Sequence, residues 1–558
     1  MSLKVPQAGG PQLFKDGYKQ SSGLEDAVLR NIQAVVELSD LIRTSFGPNG
    51  RNKLVINHLG KLFVTSDAAT IIREIEVVHP AAKILVMASQ AQEAEMGDAT
   101  NLVLIFAGEL LKQAESLLLM GLHPSEVIQG YELARTKALE ELESLSIHTL
   151  GKKLTLPSLR VALKPAIASK QYGSEDALSA LVAEAALNVM PSNPSNFNVD
   201  NVRVVKIMGG SLASSKVVRG MVFNKEPEGI VKKVRNAKVA VYSSGVDISQ
   251  TETKGTVLLR NAEEMLNFTT GEEKHMEATL KEIADSGVKV VVAGSGVGEL
   301  ALHYLDRMNI AVVKVFSKFD LRRLCRVIGA TPLARLGAPT AEEAGMVDVM
   351  EAIEIGGDRV TVFRQADDDE GGASGEKSRM ATVVLRGATS NVLDDLERAV
   401  DDGVNVIKAL VKDPEGRMVA GAGATELELA KRVEAYGAGQ RGLSQHAIRK
   451  FAKALEIVPI TLAENAGLDV TEVLSRLYAK HEQKEGGLSW GVDIESEAGG
   501  VVDTKPIEVF DSLAAKAWAL GLATDAAITV LRVDSIIMSK PSGGPKIPQQ
   551  AGNWDNDD

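Results

Sequence analysis

Between residues 24 and 44 apolar side chains fall at Val28, Ile32, Val35, Leu38 and Ile42. That three-and-four spacing places them on one face and predicts a helix. Gly47-Pro48-Asn49-Gly50 then stops it, because Gly and Pro are the strongest local breakers. Two short runs, 53–56 and 61–65, read as strands across a turn at 57–60. Helical periodicity resumes over 81–95, 100–120 and 124–145.

The middle of the chain changes character. Short β-branched runs at 202–207, 239–242, 288–293 and 311–316 alternate with helical segments, the pattern of an α/β domain. Residues 366–379, ADDDEGGASGEKSR, predict an exposed, mobile loop. From about 401 to 534 the pattern is helical again, with elements over 427–436, 445–466 and 470–480. The tail at 541–558 has nothing to bury and is expected to be disordered. Helical ends around an α/β centre predict one helical domain built from both ends, with the middle inserted.

Composition narrows the classes. At ~150 residues per domain, 558 residues make three or four domains. The single cysteine, Cys325, excludes a disulfide framework, and in LRRLCRVIGA it reads as a packed small residue. With 62 basic against 74 acidic residues the net charge is −12, which argues against nucleic acid as a partner. Aromatics at 4% weaken any base-stacking role. No uncharged apolar run approaches the ~20 residues of a bilayer span, and MSLKVPQAGG lacks a secretory pattern. The expectation is a cytoplasmic protein with no membrane contact. The eight histidines show no pair at metal-binding spacing.

Four turns could carry chemistry. Gly97-Asp98-Ala99-Thr100-Asn101 feeds an apolar helix, whose free N–H groups and positive dipole end suit an anion. Asp98 would repel phosphate unless a cation such as Mg²⁺ lay between them; equally, it could be a plain N-cap. Gly47-Pro48-Asn49-Gly50, 65–70 (TSDAAT) and 421–426 (GAGATE) are further candidates, each also compatible with simple turn chemistry. Gly294-Ser295-Gly296-Val297-Gly298-Glu299, with Asp320 some twenty residues on, imitates a dinucleotide fingerprint, but Glu299 stands where the third Gly belongs. No GxxxxGK[ST] occurs.

Taken together, TSFGPNGRNKLV (44–55), VTSDAATII (64–72), GDATN (97–101), VVLRGATSNVLDDLERAVDDGVNV (383–406), GAGATELELA (421–430) and TLAENAGLD (461–469) resemble the group II chaperonins, in the family's order, over roughly 11–540. SDAAT, GDATN, DDGVN and LRVDSIIMSKPSGGPK resemble one paralogue in particular. The resemblance implies a multidomain α plus α/β chaperonin fold. A helical equatorial domain would combine 1–149 with 404–540, and a small intermediate domain 150–216 with 369–403. The α/β apical domain would be 217–368, with a helical protrusion at about 247–276. It further implies an ATPase that uses ATP and Mg²⁺, works beside paralogous subunits in a double ring, and folds clients of the actin and tubulin type with prefoldin-type co-chaperones.

Site roles follow from the same resemblance. Gly47, Pro48, Gly97, Asp98, Ala99, Thr100, Asn101, Gly421, Gly423 and Asp511 would contact nucleotide, with Asp98 the Mg²⁺ ligand. Asp402 would orient the attacking water, Asp67 would lie near the γ-phosphate, and Lys170 would sense that phosphate. Arg322, Arg323 and Arg326 would make the client-binding helix basic. The chain departs from the family's GDGTT and NDGAT, having GDATN and SDAAT, and Asp511-Ser512 replaces an acid-Pro pair. Two other readings stay open: a nucleotide-holding scaffold subunit with weak hydrolysis, and an NAD-dependent oxidoreductase resting on Gly294–Gly298.

Overall fold

A computed structural model describes residues 19–21, 24–151, 154–247, 261–365, 380–483, 487–495 and 500–538. The predicted loop at 366–379 and tail at 541–558 lie outside them, as do 248–260 of the expected protrusion; residues 262–276 belong to helix.

The chain opens with β1 (Lys19–Ser21), α1 (Leu24–Arg43), the hairpin β2 (Lys53–Ile56)–β3 (Leu62–Thr65), α2 (Ala68–Glu74), α3 (Pro80–Glu95), α4 (Thr100–Leu119), α5 (Pro124–Ser144) and β4 (His148–Thr149). Helix α4 is apolar over most of its surface, with only a narrow stripe of Glu109, Lys112 and Gln113 left polar and Leu102 to Leu111 almost wholly buried, so it runs through a core. That core joins residues from Val28 to Leu145 with residues from Val419 to Leu531. Phe451 sits at the seam, meeting Phe106 edge-on at 5.5 Å and Tyr131 at 5.8 Å. Tyr131 keeps its hydroxyl satisfied by donating to Leu110 O at 2.7 Å.

The centre supplies α6 (Leu156–Ala168), α7 (Glu175–Val189), β5 (Val202–Met208), β6 (Lys216–Phe223), β7 (Lys233–Tyr242), α8 (Ala262–Asp285), β8 (Val288–Ala293), α9 (Glu299–Arg307), β9 (Ala311–Lys314), α10 (Lys318–Ile328), β10 (Gly345–Ile355), β11 (Asp358–Arg364), β12 (Ala381–Gly387) and α11 (Ser390–Lys412). One eight-stranded sheet runs in the order β5-β12-β6-β11-β10-β7-β8-β9. β7, β8 and β9 are mutually parallel, as are β5 and β12. Strands β6, β10 and β11 escape the sequence reading because half-exposed stretches such as GMVDVMEAIEI carry no continuous apolar run.

The glycine-rich turn after β8 holds no room for a dinucleotide. Val246 N–H donates to Gly296 O and Gly298 N–H to Val246 O, both at 3.0 Å, so residues 243–247 fill the crevice. Asp320 is engaged by Arg203 at 2.6 Å and Arg323 at 3.3 Å, not free for a ribose.

The return segment holds β13 (Arg417–Ala420), α12 (Ala424–Gly439), α13 (Ser444–Leu455), α14 (Ile457–Ala466), α15 (Val470–His481), β14 (Trp490–Val492), β15 (Val501–Asp503), β16 (Phe510–Ser512), α16 (Leu513–Leu531) and β17 (Ile536–Met538). The single helix predicted over 445–466 is two, broken at Glu456. Pro459 lacks an N–H and fits only in the first turn of a new helix. β17 pairs antiparallel with β1, and β13 lies between β4 and β16, so both ends of the chain share sheets as well as a core. Helix α16 is apolar and long enough to cross a membrane despite carrying Lys516 and Asp525, but 61% of its apolar window is buried, making it a core helix.

Phe451→Ala should cost about 3–5 kcal/mol, the range for emptying a buried aromatic site. Chemical denaturation checks this, and a loss under about 1 kcal/mol would mean that the core collapses onto the gap.

Candidate functional site

A turn and a helix each bring a carboxylate to one lysine. Asp67 caps α2: its Oδ2 accepts from Thr70 N–H at 3.0 Å and the Thr70 hydroxyl at 2.7 Å. That leaves Oδ1 for Lys170 Nζ at 2.7 Å. Lys170 follows α6 and also lies 2.9 Å from Asp402 Oδ2 on α11. A Cβ on Gly403 would touch Val182, Leu163 and Ile167 at 3.3–3.6 Å, so α11 packs closely on α6 and α7. This packing carries the neighbouring Asp402 to the lysine. All three side chains are only 11–17% exposed.

Asp98 lies between two left-handed residues, Gly97 (φ 70°) and Ala99 (φ 64°). Gly97 is required, since a Cβ there would come within 2.2 Å of Asn405. Ala99, not Asp98, occupies the N-cap of α4, and no side chain caps that helix. The plain N-cap reading of Asp98 therefore fails, and the helix end stays open toward an anion. Buried Gln92 holds the turn from behind, donating from Nε2 to Asp98 O at 2.9 Å and to Ala515 O at 3.2 Å.

Asn101 faces protein. Its Oδ1 accepts from Ala68 N–H at 3.0 Å, while Nδ2 donates to Ser45 O and Ser66 O at 3.4 Å. The 97–101 turn is thus tied to the turns at 65–70 and 47–50. Asn465 fixes the latter, donating to Phe46 O at 2.8 Å beside Gly47 and Pro48.

A second uncapped helix start is α12, where Gly423 (φ 78°) is the N-cap. A Cβ at Gly423 would lie 3.0 Å from Pro459, so Gly is needed for space as well as backbone. Val492 N–H donates to Ala422 O at 2.9 Å, which seats β14 against Gly421–Gly423. Asp511 on β16 is 37% exposed and pairs with buried Lys516 at 2.9 Å, whose other partner is Glu426 at 2.5 Å. Lys516, Gln92 and Asn405 were not singled out from sequence, and Glu426 only as the last residue of the GAGATE turn. Lys516 is visible there only as a lone charge in LAAKAWALGLA.

Charge is the dominant feature of this site. Asp67, Asp98 and Asp402 face a single ammonium, an excess of two negative charges when all are ionised. Burial pushes the Asp67 carboxyl up, but Lys170 and the Thr70 donors outweigh it and hold it well below the carboxylate range. Burial lowers the Lys170 ammonium, yet Asp402 and Asp67 hold it well above its ordinary value. Asp402 is pushed to about 8 by burial first, with Asp67 and Asp98 adding to the shift and Lys170 opposing it. Asp98 is also raised, by burial and then by Asp511 and Asp67, against the pull of Lys170 and the Ala99 N–H. Such a site is suited to a cation. Among the described residues no set of three or more His, Cys, Asp or Glu side chains closes on a metal. A Mg²⁺ held by Asp98 would therefore take its remaining ligands from phosphate and water, its usual habit. The residues present fit that arrangement.

The three arginines expected to meet clients lie elsewhere, on α10. Arg322 and Arg326 are exposed, while Arg323 is half-buried against Asp320 at 3.3 Å and Asp200 at 3.7 Å. Cys325 on the same helix is buried, its thiol pushed up to about 11, as expected for a packed residue.

The chain belongs to the TCP-1/cpn60 chaperonin family, whose model matches residues 38–541. Within that family it is similar, over the full length of both chains, to proteins named T-complex protein 1 subunit theta. It is 56% identical over 557 residues to the probable theta subunit of Schizosaccharomyces pombe. The values are 54% over 575 residues for Saccharomyces cerevisiae and 52% over 558 for Homo sapiens. The paralogue resemblance carried by SDAAT, GDATN and DDGVN agrees with these relatives.

A carboxyl raised from 3.8 to about 8 in the folded chain takes up a proton on folding. Its contribution is complete below pH ~4 and is lost as pH rises through 8. Asp402→Asn removes that loss. In nucleotide-free buffer the variant should gain thermal stability over the parent progressively between about pH 5 and 8.5. Scanning calorimetry across that range checks it, and a pH-independent difference would mean that Asp402 is already ionised.

Proposed function

We propose that the chain is an ATP-hydrolysing chaperonin subunit working beside paralogous subunits in a cytosolic double ring, where ATP-driven closure folds proteins. The observation that carries this is the bridge from Asp67 through Lys170 to Asp402, beside Asp98 at the open end of α4. Asp98 and Asp402 are about 300 residues apart in sequence, and a phosphoryl-transfer site needs both a metal ligand and a water-orienting carboxylate.

In this reading Asp98 holds Mg²⁺, and the α4 N–H groups with the Thr100 hydroxyl receive phosphate oxygens. Bound Mg²⁺ would neutralise charge developing on the transferred phosphate. Asp402, freed of its proton, accepts a hydrogen bond from the attacking water and aligns it. Lys170 answers to the phosphate by exchanging a carboxylate partner for it. Gly47, Pro48, Gly421, Gly423 and Asp511 form the nucleoside side. Asp67 belongs to the equatorial part (1–149 with 404–540), whereas Lys170 and Asp402 belong to the intermediate part (150–216 with 369–403). Hydrolysis is thereby linked to closure of one part on the other. The apical part, 217–368, would hold clients, of the actin and tubulin type by family resemblance, delivered by prefoldin-type partners.

A second reading, a subunit that holds nucleotide and hydrolyses it slowly, draws on Asp402. A carboxyl raised to about 8 is mostly protonated at neutral pH and accepts poorly from water.

Asp98→Ala should weaken both nucleotide binding and hydrolysis. Asp402→Ala should keep binding and lower hydrolysis by about 10²–10⁴-fold. The subunit's own turnover is read in a ring whose neighbours are disabled. Parental hydrolysis in Asp402→Ala would remove the assignment, while no hydrolysis in the parent would favour the holding subunit. On α10, reversing Arg322 and Arg326 to Glu should weaken capture of acidic clients at low salt and leave ATP turnover unchanged. Salt-independent capture in the reversed subunit equal to the parent's would exclude a client role for the pair.

A further inference from the structure

The Asn101 carboxamide makes contacts that only one orientation allows. Two carbonyl oxygens, of Ser45 and Ser66, lie on one side and a backbone N–H, of Ala68, on the other. The amide nitrogen must face the carbonyls and the amide oxygen the N–H. Ser66 and Ala68 are the residues on either side of Asp67, so the Asp67 backbone is gripped before and after its Cα. Asn101 itself stands on the first turn of α4, three residues after Asp98. The family's threonine at this place has a shorter side chain with one hydroxyl, which cannot meet three partners in three directions.

We propose that Asn101 is a positioning residue. It touches no reacting group; it holds the Asp67 turn in register with the Asp98 turn, and through Asp67 it sets where Lys170 and Asp402 stand. This rests on the reading of the site as an ATPase. Its effect should fall on the rate of the bound complex, because a carboxylate displaced by about 1 Å costs on the order of 10²-fold in rate, while the phosphate-facing end of α4 is unaltered.

The test uses the assembled hetero-oligomer, with the equivalent of Asp402 removed from every other subunit and incorporation verified by native mass. Asn101→Ala should lower kcat for ATP by roughly 10²-fold with KM within about threefold of the parent. Asn101→Thr, which keeps one of the three bonds and guards against failed assembly, should fall between. In an Asp67→Asn background, Asn101→Ala should cost nothing further, because Asn101 acts through Asp67. Additive losses in the double variant, or a raised KM with unchanged kcat, would overturn the proposal. Asp402→Ala at parental turnover would instead overturn the ATPase reading; an inactive Asp402→Ala with an unaffected Asn101→Ala would sink the positioning role alone.

Discussion

One buried ammonium shared among carboxylates governs this molecule. Lys170 is within 3 Å of both Asp67 and Asp402, and each of the three arrives on a different stretch of chain. Removing Lys170 would leave the buried carboxylates without a counter-charge, which is far costlier than the bridge is stabilising. The helices that present these groups are therefore constrained to meet. The close packing of α11 on α6 and α7, and the tie from Asn101 to the Asp67 turn, follow from that requirement. The bridge also leaves the site short of positive charge, the condition under which Mg²⁺ and a nucleotide bind together.

Much of this was legible in the sequence, for physical reasons that differ by element. Helices α1, α4 and α5 were readable because each buries a face or most of its surface, so hydrophobic spacing reports them directly. The hairpin β2–β3 was readable from a turn flanked by short apolar runs. Strands β6, β10 and β11 were not, because charged residues interrupt their apolar runs and their places in a large mixed sheet depend on distant partners. The break at Glu456 was missed although Pro459 marks it, since a proline in a first turn looks like a kink until the chain around it is seen.

The site divides in the same way. Asp98, Asp67 and Asp402 stand in turns or helices with recognisable motifs, and motif resemblance located each. Their mutual geometry was out of reach, because charge coupling through Lys170 depends on packing between segments hundreds of residues apart. Gln92 and Lys516 carry no motif at all; they matter only because they are buried polar groups that need partners. Asn101 was read as a nucleotide contact from its place in GDATN, whereas its amide is occupied by backbone. A residue type alone does not say which way its polar atoms turn.

The core shared by both ends of the chain has a consequence during synthesis. Helices α1 to α5 leave the ribosome first, but the partners that cover α4, among them α13 and α16, lie beyond Val419. About 270 residues separate Leu145 from Val419, which at 5–20 residues per second is roughly 15–55 s of translation. Throughout that interval the stretch from Leu102 to Leu111, almost wholly buried in the finished fold, has no finished surface to rest on. A nascent chain of this chaperonin is thus itself a hydrophobic, half-built protein, and needs protection from aggregation before it can give any.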